Sequence, residues 1–99
     1  MLIMNRDQVL QRLSDYKKNY SDHYGIVALG VFGSTARGKA GGQSDVDIVV
    51  RLKKPELFLL AGLKDDLEKV LHQSIDIVVY RDTMNPFLRK MIDREAFYV

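Results

Sequence analysis

The stretch IVALGVFGSTARGKAGGQSDVDIVVRL, Ile26 to Leu52, decides how the rest of the chain is read. Val27, Leu29 and Val31 alternate with Ala28, Gly30 and Phe32, the pattern of a buried strand, which stops at Gly33-Ser34. Four of the seven glycines fall between positions 33 and 44, marking a loop. After it Val46, Ile48 and Val50 alternate with Asp45, Asp47 and Val49 in a second, β-branched strand. The alternation puts Asp45 and Asp47 on one face with Cα atoms about 6.5–7 Å apart, close enough for both carboxylates to reach one metal ion or a close pair.

Working outward, Val9, Leu10, Leu13 and Tyr16 form the stripe of an amphipathic helix from Asn5 to Tyr20, with Asn5 as cap and Asp7 in the first turn. Residues 21–25 break that period. Pro55 suits a first helical turn, and Leu60, Leu63, Leu67, Val70 and Leu71 carry a second helix through His72. Ser74–Tyr80 is a third strand, apolar except for Asp76. Pro86 opens a last helix through Arg94, with Leu88 and Ile92 on its apolar side and Phe87, Lys90, Met91 and Arg94 on another. Ala96–Val99 extends as a short terminal strand. The expected architecture is one α/β domain over residues 1–99, a mixed sheet flanked by helices.

Composition narrows the function classes. A chain of 99 residues holds one core. Without cysteine it has no disulfide, thiolate zinc site or cysteine nucleophile. Its formal net charge of +2 is far below the basic excess that extended nucleic-acid binding requires. No apolar run approaches the roughly 20 residues that span a bilayer. The expected location is the cytoplasm.

Three carboxylates therefore interrupt apolar strands: Asp45, Asp47 and Asp76. Asp76 joins the other two if the strand registers match. Like charges held close resist joint ionisation, and a divalent cation removes the conflict. Oxygen ligands without Cys favour Mg²⁺ or Mn²⁺ over zinc. The turn before them suits a phosphate substrate, because Gly33 lets the backbone approach an anion while amide groups and the Ser34 hydroxyl face it at the start of a short helix, with Arg37 nearby. Neither a Gly-Lys-Ser/Thr phosphate loop nor a Gly-x-Gly-x-x-Gly fingerprint occurs.

Gly33-Ser34, ten residues and Asp45-Val46-Asp47 together resemble the signature of the DNA polymerase β-like nucleotidyltransferase superfamily. The fuller run Gly33–Gly38 with Ser44–Ile48, and the closing Arg94-Glu95-Ala96, resemble its minimal nucleotidyltransferase branch. Four such fixed positions arise by chance about once per thousand chains of this length. The resemblance implies a polymerase β-like fold in which Gly33 and Ser34 hold a triphosphate and Arg37 assists. It also implies that Asp45 and Asp47 ligate two Mg²⁺ ions and that Asp76 is the third carboxylate, near the acceptor hydroxyl.

Each reading has a plainer alternative. An isolated Asp-x-Asp is commonly a strand-edge feature, Asp76 alone could be an exposed strand residue, and Arg37 could be structural. Gly41-Gly42 reads as a turn and Lys39 as solvated. His23 and His72, beside turns, read as surface positions, and Arg51, Lys53 and Lys54 as a solvated strand edge. Leu57, Phe58, Leu59 and Leu60 make the second helix apolar nearly all round at its start, either an interface or deeper burial.

Ninety-nine residues suffice for nucleotide transfer and leave almost nothing for an acceptor. Minimal nucleotidyltransferases are commonly paired with a HEPN-domain ribonuclease toxin. The resemblance therefore implies an antitoxin that adenylylates a toxin tyrosine from ATP in a hetero-oligomeric complex. A non-catalytic antitoxin that masks the toxin, and transfer to a small-molecule hydroxyl, are the alternatives.

Overall fold

The computed structural model describes residues 4–38 and 45–99; Lys39, Gly41, Gly42 and Ser44 lie outside them. Helix α1 (Arg6–Tyr24) starts where Asn5 permits it. The Asn5 side chain accepts from the Gln8 amide at 2.9 Å, and the Gln8 side chain accepts from the Asn5 amide at 3.0 Å, so two otherwise unpaired donors are satisfied reciprocally. Asn5→Ala is expected to cost about 1 kcal/mol, read as a melting point about 4–8 °C lower.

The helix runs one turn beyond the expected break because tertiary contacts hold its end. The Tyr16 and Tyr24 hydroxyls both donate to Asp66 Oδ2, at 3.0 and 2.7 Å. Burial, then the neighbouring Asp66, pushes both hydroxyls above the usual tyrosine range. Gly25, at φ 66°, closes the helix in the left-handed region.

Strands β1 (Ile26–Phe32) and β2 (Val46–Leu52) occupy the expected positions, separated by the short helix α2 (Gly33–Ala36). The register of β1 against β2 shifts between Ile26 and Ala28. That bulge buries Ile26 and leaves Val27 half exposed, against the simple alternation. Helix α3 (Leu57–Leu71) begins after Pro55 rather than around it, since the Glu56 amide donates to the Lys54 carbonyl at 2.8 Å in a tight turn. His72 ends it at φ 54°. Strand β3 (Ile75–Val79), helix α4 (Pro86–Glu95) and strand β4 (Phe97–Tyr98) complete the chain. Asn85 caps α4 by accepting from the Phe87 and Leu88 amides.

The sheet order is β3-β2-β1-β4, with β2 and β3 parallel and both β1 pairings antiparallel. This is the mixed sheet flanked by helices that the sequence implied. Val9 and Leu13 of α1 and Leu63, Leu67 and Leu71 of α3 pack on Leu29, Val31, Ile48, Val50 and Ile75. On the other face Ile92 of α4 packs with Phe32 and Val49, joined by Leu88 and Met91. Met91 thus belongs with the apolar side of α4.

His23 and His72 are exposed, as are Arg51, Lys53 and Lys54. The Arg51 guanidinium nevertheless lies 5.0 Å from the Tyr80 ring centre, so it is held rather than free. Deeper burial holds for Leu60, which packs against the core, but not for Leu57 and Phe58, which remain 78% and 91% exposed. No helix among the described residues is long and apolar enough to cross a membrane.

Candidate active site

Register places the acids. In the parallel pair, Asp47 is the direct partner of Asp76, and partnered residues of neighbouring strands project from the same face. Their neighbours Val46, Ile48, Ile75 and Ile77 belong to the core beneath α1 and α3, so the two acids project from the α4 face. Asp45 immediately precedes β2. Asp45 and Asp76 are exposed and Asp47 is half-buried.

Across the other edge of β2, Phe32 is the partner of Asp47, which brings the start of α2 against that carboxylate. Gly33 has φ 72°, and a Cβ there would overlap Asp47 Oδ2 and lie 3.1 Å from its Cγ. The position requires glycine for backbone conformation and for space. Ser34 follows, half-buried, in the first turn of α2. The Arg37 amide closes this turn on the Gly33 carbonyl at 3.1 Å. From α1, Arg6 donates to the Ala36 carbonyl at 3.1 Å.

The electrostatics follow from that crowding. Burial, then Asp76, then Asp45 raises the Asp47 pKa above the ordinary carboxylate range, while Arg37 opposes the shift. All four sequence-selected charges therefore act within one neighbourhood. Among the described residues no three acidic or histidine side chains converge tightly enough to form a closed metal cage. The oxygen-only donors and the uncompensated charge at Asp47 still fit a hard cation that takes few protein carboxylates and completes its shell with water and phosphate.

Sequence reasoning missed Glu95, whose Oε2 accepts from Arg37 Nη1 at 2.9 Å. The only sequence signal was its place in the closing Arg94-Glu95-Ala96 segment. A cavity of about 290 Å³, lined by Ala28, Val49, Arg51, Tyr80, Asp93 and Tyr98, was also not anticipated. It shares the α4 face of the sheet with the acids, but none of them lines it.

Comparison with known proteins identifies the family. Residues 9–99 match the family model described as a nucleotidyltransferase domain. The protein adenylyltransferase MntA of Thermococcus cleftensis is 32% identical over 100 residues, covering 100% of both chains. A solved structure described provisionally as a minimal nucleotidyltransferase superimposes with a TM-score of 0.77 at 35% identity, covering 95% of each chain. The fold also matches, with a TM-score of 0.67 at 15% identity over 94% of this chain and 70% of the other, a chain from the complex of the tri-AMPylated Shewanella oneidensis HEPN toxin with its MNT antitoxin. A glycine turn packed on one acid, a second acid in register with it and a family match across nearly the whole chain converge: the chain belongs to the nucleotidyltransferase domain family, in its minimal branch.

Proposed function

We propose that the chain is an adenylyltransferase antitoxin that transfers AMP from ATP to a tyrosine hydroxyl of a HEPN ribonuclease toxin and thereby neutralises it. The observation that carries this reading is the direct pairing of Asp47 with Asp76 while the Gly33 backbone packs against Asp47. That arrangement sets acid groups beside a turn suited to phosphate. The acceptor class is supported by the adenylyltransferase and toxin–antitoxin relatives.

Asp45 and Asp47 would hold two Mg²⁺ ions, or Mn²⁺, with Asp76 as the third carboxylate. Bound there, such ions supply charge neutralisation at the α-phosphate and activation of the attacking oxygen. Backbone amides of the Gly33-Ser34 turn and the Ser34 hydroxyl bind phosphate oxygens, and the Arg37 guanidinium adds positive charge. Asp76 orients the acceptor hydroxyl and takes its proton. The hydroxyl oxygen forms a bond to the α-phosphorus, the α–β phosphoanhydride bond breaks, and pyrophosphate leaves with its electron pair.

Incubating the chain with ATP, Mg²⁺ and a cognate HEPN-domain protein should add AMP to a tyrosine of that protein, seen by mass spectrometry of the intact partner and its peptides. An unmodified partner overturns the reading. The exposed Leu57 and Phe58 favour a second one, masking by binding. Persistent inhibition of the toxin by an Asp45→Ala/Asp47→Ala variant is the result expected of masking.

A further inference from the structure

We propose that Glu95 is a positioning residue for nucleotide binding, its carboxylate holding the Arg37 guanidinium beside the phosphate-facing turn so that the triphosphate meets it already oriented. This rests on the adenylyltransferase reading above. The two residues are 58 positions apart and meet because α4 crosses the sheet to end beside α2. Arg37 directly follows α2, and Glu95 is the last residue of α4, a helix anchored by the fully buried Ile92.

The pair differs from a loose surface contact. The Glu95 side chain is 21% exposed and that of Arg37 46%, so the carboxylate is the better anchored partner, and a charge-assisted hydrogen bond is stronger and better oriented than a neutral one. Glu95 engages Arg37 through Nη1 alone. Arginine carries five N–H donors in a rigid fork, and among the described residues no hydrogen bond takes Nε or Nη2, which can face phosphate oxygens. The same segment grips α2 a second way: the Arg6 guanidinium that binds the Ala36 carbonyl also lies 4.6 Å from the centre of the Phe97 ring. Residues 95–97 and Arg6 therefore brace both Ala36 and Arg37.

A carboxylate beside an anion site could instead withhold Arg37 from the nucleotide. Geometry favours positioning, because among the described residues the carboxylate engages one donor nitrogen of the Arg37 fork and leaves the others out of its grip. The two roles predict opposite signs when the carboxylate is removed.

The test is calorimetric titration of the purified chain with AMP-PNP in the presence of Mg²⁺, which needs no acceptor, alongside thermal melting of each variant. Glu95→Ala is expected to weaken AMP-PNP binding by about 3- to 10-fold, in the lower part of the range of couplings between residues in direct contact. Glu95→Gln should stay within about 2-fold of the parent, since its amide oxygen still accepts from Nη1. Arg37→Ala should weaken binding at least as much as Glu95→Ala, and the double variant should be no weaker than Arg37→Ala. A merely structural role would not produce that loss of additivity.

Tighter binding in both Glu95 variants overturns positioning in favour of withholding. Weakening by Glu95→Ala that persists undiminished in the Arg37→Ala background overturns it in favour of a route that bypasses Arg37. Unchanged affinity in Glu95→Ala, with a normal response to Arg37→Ala, removes positioning alone. Absence of AMP-PNP binding by the parent chain removes the underlying nucleotide-transfer reading instead.

Discussion

Asp47→Ala should lower AMP transfer by about 10²- to 10³-fold, the scale on which one preorganised group in a reacting site is lost, while the domain stays folded. Asp47 is the most constrained of the three acids. It is half-buried within β2, with Asp76 as its partner on one side and Phe32 on the other. Its neighbours cannot move into its place without breaking the ladder. Unchanged turnover in this variant would sink the proposed mechanism.

The same residue links activity to stability with a definite sign. Because Asp47 binds its proton more tightly in the folded chain than in the unfolded one, its contribution to stability falls as pH rises from the ordinary carboxylate range through the raised folded value. Above that window the cost of burying the ionised carboxylate, and then its repulsion by Asp76 and Asp45, are fully present. Asp47→Asn removes both, so in EDTA at pH 8 the variant should melt above the parent, by a margin that solvent screening of the half-buried group keeps small. Mg²⁺ should raise the parent's melting point more than the variant's. A variant that melts lower than the parent in EDTA contradicts the electrostatic account.

The second large effect is Gly33→Ala. The left-handed backbone at φ 72° disfavours any side chain, and the added methyl would collide with the Asp47 carboxylate. Strain of this kind costs about 1–3 kcal/mol, and displacing the carboxylate by about 1 Å should cost about 10²-fold in transfer. Gly25→Ala separates the two causes. Gly25 also lies in the left-handed region, at φ 66°, but its nearest neighbour, Lys53 Cβ, would be 3.5 Å from the new Cβ, an ordinary contact. Gly25→Ala should therefore lose stability and keep transfer, whereas Gly33→Ala should lose both. Equal transfer by the two variants would show that the close approach of Gly33 to Asp47 has no catalytic consequence.

Much of this fold was legible because its strands carry strong local signals. The end of β1 follows from period-2 alternation stopping at glycine, β2 from β-branched alternation after a glycine-rich stretch, and the α4 start from the fixed φ of Pro86. What stayed hidden depends on contacts remote in sequence. The last turn of α1 is held by Asp66 of α3, a residue whose effect on Tyr24 no local pattern reveals. Val27 turns outward because of a bulge set by pairing with β2.

The candidate site divides in the same way. The sequence placed Asp45 and Asp47 on one face by spacing alone, but whether Asp76 stood beside them depended on how β3 docks. Its exact partnering with Asp47 is a tertiary result. Glu95 was missed because a lone carboxylate at a helix end is ordinary until its partner is seen.

The parallel pairing of β2 with β3 has one more consequence, for what the chain can tolerate. Side chains alternate along a strand, so a slip of one residue would turn Asp76 away from Asp47 and drive it into the packed layer beneath α1 and α3. The span that prevents the slip is the connection through α3, whose Leu63, Leu67 and Leu71 seat it against the sheet. Helix α3 contributes no acid to the candidate site, yet it acts as a ruler for the pair. Single-residue insertions within it should be poorly tolerated even on its solvent side, because they would change the measured length between two acids that project from the opposite face of the sheet.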